Sequence, residues 1–247
     1  MSIHGILNIN KPQGLTSRKV VDRVRRIFGM PKAGHAGTLD PDATGVLLIC
    51  LGKATKLFEA LQKGDKEYEG TLTIGVTTDT LDASGKVIKT ADVSSVTEEQ
   101  IIAAFKKFEG EIEQIPPMFS AIKHKGKPLY KLARKGIKIE RPPRPVTIHH
   151  LEVLEIHKPD VTFRVSCSKG TYIRVLASDI GTAVGCGAHL SSLIRTRSGI
   201  FTLSDAISLD EIENCPEKAY QAVHSIDAVL EALSDQEVIT DKGVLSE

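Results

Sequence analysis

The stretch Gly34-His35-Ala36-Gly37-Thr38-Leu39-Asp40-Pro41-Asp42-Ala43-Thr44-Gly45 constrains this chain more than any other, because it runs straight into the apolar segment Val46-Leu47-Leu48-Ile49-Cys50-Leu51. That segment is short, bounded by Gly45 and Gly52 and unbroken by charge, the pattern of a strand buried on both faces. Pro41 disfavours helical geometry at Asp40, so the aspartate belongs on an extended or turning backbone. A carboxylate on a stiff loop beside a rigid strand could serve catalysis. It could equally be a turn aspartate bonded to nearby amides, and the local residues do not separate the two readings.

Composition matters mainly through the placement of charge. The net charge of the 247-residue chain is only +1. Between Met118 and Pro145, however, nine lysines and arginines face Glu140 alone, and from Asp205 onward eleven acids face Lys218 and Lys242. A basic block in a near-neutral chain suggests a polyanionic partner; the alternative is a solvated lysine-rich loop. Four dispersed cysteines with no CxxC pair imply neither a disulfide framework nor a zinc site. No signal-peptide core or segment of membrane-spanning length is present, so a cytoplasmic protein is expected.

Along the chain, Gly5–Asn10 reads as a strand, and Thr16 or Ser17 caps a helix whose apolar face is Val20, Val21, Val24, Ile27 and Phe28. Residues 53–61 read as a short helix. Tyr68 to Val76 alternates as a strand with Tyr68 at its start, and residues 78–85 form an acidic turn. Thr97 and Gln100 resemble a capping box before a helix bearing Ile101, Ile102, Phe105 and Phe108. Prolines at 116, 117, 142, 143 and 145 bracket the basic block, which reads as a partly helical excursion able to move. Val161–Cys167 is an alternating strand, followed by a helix with Ile173, Leu176, Ala177 and Ile180 buried. If residues 172–174 are still extended, Tyr172 and Arg174 point the same way. Beyond Phe201 the chain is acidic and weakly helical, with no further apolar core segment expected. The irregular order of elements favours an α+β fold with a mixed, largely antiparallel sheet and packed helices.

Several familiar chemistries are excluded. The glycines at 45 and 52 do not have phosphate-loop spacing, and residues 185–190 lack the third glycine of a dinucleotide motif. The acidic turn fails the calcium-loop pattern. Asp42 lies too close to Asp40 to form a glycosidase pair. Pattern alone stops at an α/β protein that could bind a polyanion.

The motif around Asp40 closely resembles the catalytic motif of the TruB family of tRNA pseudouridine synthases. Four more stretches resemble the family's other signatures, in order. They are residues 5–17, Lys66-Glu67-Tyr68 with 78–85, Gly170–Ala177, and Leu193–Gly199. The resemblance implies the pseudouridine-synthase fold, with a catalytic domain over 1–205, a basic thumb insertion at about 118–145 and a short acidic segment at 206–247 in place of a complete RNA-binding domain. It implies isomerisation of uridine 55 in the tRNA T loop, without metal or cofactor; a monomer is expected. It assigns Asp40 as the catalytic aspartate and Tyr68 as the residue that stacks on the target base. Arg174 would pair with Asp40, Tyr172 would line the pocket, and Leu193 would pack against the base. His35 would stack within the RNA loop, and Lys11, Pro12 and Lys56 would support the site. A synthase acting on another RNA, and a non-catalytic RNA-binding or chaperone protein of the same fold, stand as alternatives.

Overall fold

A computed structural model describes residues 3–243, with side chains described through residue 235. The chain divides into two compact units, one formed by Met1–Glu67 with Ile194–Glu247 and the other by Tyr68–Leu193.

In the first unit the strand Thr44–Leu51 is central. Gly5–Lys11 runs antiparallel to it along one edge, from Gly5 opposite Leu51 to Lys11 opposite Gly45. Its other edge is shared. Ala33–Ala36 pairs antiparallel with Leu48–Leu51, and Ile194 and Arg195 pair parallel with Thr44 and Gly45. Val46, Leu48 and Cys50 on one face and Leu47, Ile49 and Leu51 on the other are all buried, as the unbroken apolar run predicts. Gly45 is required where these two strands meet. Its φ is +95°, and a Cβ there would lie 2.2 Å from the Arg195 carbonyl oxygen. Thr16 caps the helix Ser17–Ile27, its hydroxyl accepting from the Lys19 amide; Val20, Val21 and Val24 are buried. The expected helix over 53–61 forms as a 3-10 turn, Gly52–Leu57, continued by the α-helix Phe58–Lys63.

The C-terminal part departs from expectation. Ile207–Ser208 and Val223–His224 both pair with Gly5–Lys11, and Leu209, Ile212, Ala219 and Val229 are buried. These buried residues come one or two per helix, so no periodic run announces them. Ser208 and Glu211 form a capping box that starts the helix Leu209–Asn214.

In the second unit, strands are ordered Lys66–Ile74, Asp160–Cys167, Arg144–His157, Gly110–Gln114. The last two pairings are antiparallel, and the 144–157 strand carries irregularities near Ile148 and Val153. The helix Glu98–Lys106, begun by the expected Thr97–Gln100 capping box, packs Phe105 edge-on against Phe163 with ring centroids 5.8 Å apart. The acidic turn links the hairpin strands Val76–Thr78 and Val87–Thr90. The basic excursion holds a two-residue hairpin, Lys123–His124 with Lys127–Pro128, and the short helix Leu129–Ala133. Among the described residues, no helix is long and apolar enough to cross a membrane.

Candidate active site

Asp40 sits half-buried on the loop between Ala33–Ala36 and Thr44–Leu51, and both residues flanking it are held. On one side, the buried Ser17 hydroxyl donates to the Leu39 carbonyl at 3.0 Å and accepts from the Leu39 amide at 2.9 Å. On the other, the Pro41 carbonyl accepts from the Lys11 ammonium and from the Gly14 amide, each at 2.9 Å. The Asp40 carbonyl accepts from the Ala43 amide at 3.2 Å and closes the turn. Thus the sequence Lys11-Pro12-Gln13-Gly14-Leu15-Thr16-Ser17 acts as a brace for the aspartate loop, and its lysine, glycine and serine each hold one point of it.

Lys11 is fully buried and spends its three protons on the carbonyls of Pro12, Leu15 and Pro41, at 2.7–2.9 Å. Burial pushes its pKa down from 10.5 to about 8; Asp42 and Asp40 oppose that shift and Arg195 adds to it. His35 is also held below the usual imidazole range, first by burial and then by the positive charges of Arg195 and Arg18. Its Nδ1 is buried and makes no hydrogen bond among the described groups. Pro12 is exposed at the surface of the brace. Lys56 is exposed on the 3-10 turn beyond the Leu51 end of the central strand, whereas the Asp40 loop joins at the Thr44 end.

In the second unit, Tyr68 is 8% exposed on the strand Lys66–Ile74. A Cβ at Gly70 would lie 3.2 Å from Leu193 Cδ1, and side chains two apart on a strand share a face, so Tyr68 and Leu193 belong to the same face. Tyr172 does not continue a strand. It is the N-cap of the helix Ile173–Val184, which places Arg174 in the first helical turn. The alternation that would have aligned residues 172 and 174 therefore does not apply. Gln114, 2% exposed, holds the Tyr172 backbone from both sides, accepting from its amide at 2.9 Å and donating to its carbonyl at 3.3 Å. Arg174 is buried, donates to the Phe119 carbonyl at 2.8 Å and stands 3.5 Å from Asp82 Oδ2. The other Asp82 oxygen accepts from the Thr80 hydroxyl at 2.6 Å and from the Ser84 amide and hydroxyl at 3.1 and 2.6 Å. The acidic turn is thus a preorganised carboxylate that orients a guanidinium.

Sequence reasoning missed the contacts of Ser17, Asp82, Gln114 and Arg195, the last donating to the Gly37 and Val46 carbonyls. Three of these lie inside the family-like motifs, where residue type was visible but partner was not; Gln114 carried no signal. Among the described residues no group of three His, Cys, Asp or Glu side chains is placed to hold a metal.

Comparison with known proteins identifies the family. Residues 25–173 match the model of the TruB family pseudouridylate synthase N-terminal domain, and residues 174–235 match the tRNA pseudouridylate synthase B C-terminal domain. The chain is 49% identical over 231 residues to tRNA pseudouridine synthase B of Francisella philomiragia, covering 93% of this chain and 76% of that one. It is 52% identical over 211 residues to the protein of that name from Alkaliphilus oremlandii, covering 85% and 70%. Among solved structures it resembles a chain in a Cbf5-Nop10-Gar1 complex, with TM-score 0.72 and 36% identity over 93% of this chain. A chain of an H/ACA RNP bound to a substrate RNA containing 2'-deoxyuridine gives TM-score 0.69 and 33% identity, again over 93% of this chain. The present chain spans 62% and 61% of those two chains. The motif around Asp40, the fold and both family models lead to one conclusion: this chain belongs to the TruB family of pseudouridylate synthases.

Proposed function

We propose that this chain isomerises uridine to pseudouridine in tRNA, at uridine 55 of the T loop, with Asp40 as the catalytic carboxylate. Family membership supports the reaction, and the observation that carries the assignment of Asp40 is the two-sided hold on Leu39 and Pro41. A reacting carboxylate must be held to a fraction of an ångström, and a merely decorative turn aspartate has no need of a buried serine on one side and a buried lysine on the other.

In this reading the target base leaves the RNA stack at a cost of a few kcal/mol, and stacking on Tyr68 returns about 1–3 kcal/mol. The C1′–N1 bond breaks, the uracil turns, C1′ joins C5, and the C5 proton passes to solvent while N1 gains one. The reaction has no net oxidation, so its balance needs no metal or redox cofactor. The family resemblance assigns Arg174 to pair with Asp40, Tyr172 to line the pocket, Leu193 to pack against the base and His35 to stack within the RNA loop, while the contacts described above hold Arg174 to Asp82 and the Phe119 carbonyl. Lys11 and Pro12 support them, whereas Lys56, assigned the same role by the resemblance, stands beyond the opposite end of the central strand. The basic excursion, read as a thumb, supplies phosphate contacts of the kind that RNA recognition uses.

The test is pseudouridine formation in a T-arm stem–loop by the wild type and by Asp40→Asn. Product should vanish in the variant while RNA binding persists. Product formation undiminished by the substitution would remove Asp40 from the chemistry. Product at a different RNA, with an unmodified T loop in tRNA exposed to the enzyme, would replace the substrate.

A further inference from the structure

The buried guanidinium of Arg195 joins the two ends of the loop that carries Asp40. Its Nε donates to the Val46 carbonyl at 2.7 Å and its Nη2 donates to the Gly37 carbonyl at 3.0 Å. Gly37 lies three residues before Asp40 and Val46 six residues after it. Arg195 is 1% exposed, among the largest fully buried side chains of the protein. Burying a guanidinium is costly unless its donors are well used, so its retention here calls for a task that an apolar residue could not perform.

Strand pairing shows what that task is. Along one edge of Thr44–Leu51, the strand Ala33–Ala36 covers Leu48–Leu51, and Ile194–Arg195 covers Thr44–Gly45. Between the two lies the point where the chain leaves the edge at Gly37 to form the Asp40 loop. Gly37 and Val46 border that point, outside both of these pairings. One planar fork reaches both of their carbonyls from two separate nitrogens held in one plane; a lysine, whose donors all sit on one rotating nitrogen, lacks that geometry. Ser17 and Lys11 fix the loop at Leu39 and Pro41, next to the aspartate, while Arg195 fixes its base.

We propose that Arg195 is a positioning residue for the isomerisation: by spanning Gly37 and Val46 it sets the width of the loop's base and so the placement of Asp40. The proposal rests on the reading of Asp40 as the catalytic carboxylate. It assigns to the Leu193–Gly199 segment a role in shaping the aspartate loop, separate from the packing of Leu193 against the base.

The experiment compares wild type, Arg195→Lys, Arg195→Gln and Asp40→Asn in single-turnover and steady-state pseudouridine formation on a T-arm stem–loop, with hydrogen exchange measured on each protein. In Arg195→Lys and Arg195→Gln, kcat should fall about 10- to 100-fold, the scale of a small misplacement of a reacting group, with KM for the RNA nearly unchanged. Amides of residues 37–43 should exchange faster while those of Gly5–Lys11 keep wild-type protection. Full turnover in both arginine variants, or a raised KM at constant kcat, overturns the proposal. So does a loss of rate that matches a loss of folded protein, including failure of both variants to fold, because Arg195 would then be structural only. Retained activity in Asp40→Asn would instead strike the underlying assignment, which the arginine variants do not test.

Discussion

The ammonium of Lys11 and the carbonyl of Pro41 stand 2.9 Å apart, which joins the end of the first strand to the residue that follows Asp40. Lys11 is opposite Gly45 in the antiparallel pairing, so the lysine is delivered to the loop by strand register. The same ammonium also binds Pro12 and Leu15, so the charge that closes the N-terminal brace is the charge that holds the aspartate loop.

This arrangement makes the site sensitive to alkaline pH. The folded pKa of Lys11 is about 8, against 10.5 for the ordinary side chain. Between those values the unfolded chain binds the proton that the folded chain has released, so this group alone makes stability rise with pH across that window. Function should move the other way, because the neutral amine has one donor fewer for three carbonyls. Single-turnover rate should therefore decline through an inflection near pH 8, and Lys11→Met should lack that inflection while being slower throughout. A matching inflection in Lys11→Met would place the ionisation on another group.

Ser17 and Thr16 are neighbours with different tasks, and their variants should separate. Ser17→Ala leaves the buried Leu39 amide without its acceptor and should cost about 1–3 kcal/mol in urea unfolding, with a reduced kcat. Thr16→Ala removes the helix cap and should cost about 1 kcal/mol with kcat retained. Equal effects of the two on kcat would mean that the Ser17 hydroxyl does not position the aspartate loop.

The lysines of the excursion should act through charge. Replacing Lys123, Lys125 and Lys127 by glutamine should weaken RNA binding and reduce the slope of log affinity against log salt by roughly 0.7–0.9 for each phosphate that is no longer neutralised. Filter binding across a salt series measures this, and an unchanged slope would remove these residues from the RNA interface.

Local physics made much of this protein legible in its sequence. The two-faced burial of Val46–Leu51, the Thr16 cap, the Thr97–Gln100 capping box and the turn at Asp40-Pro41 depend on residues within a few positions of one another. The motif around Asp40, with its companions, also identified the family. One conditional alignment did not apply and one local reading failed, each for a physical reason. Helix formation begins at Ile173 once Gln114 holds the Tyr172 backbone, and that partner is 58 residues away. The acidic C-terminal part contributes Leu209, Ile212, Ala219 and Val229 to the buried interior, too sparsely for any period to show.

The hold on the aspartate loop comes from contacts that only the folded chain makes. Proline, glycine and an apolar run act over short range, so the local pattern already places Asp40 on a stiff turn before a buried strand. The groups that hold the turn come from elsewhere: Ser17 is 22 residues from Leu39, Lys11 is 30 from Pro41, and Arg195 is 158 from Gly37 and 149 from Val46. Such partners are chosen by strand register and by the need of buried donors and acceptors to meet, and neither leaves a mark in the spacing of residues along the chain.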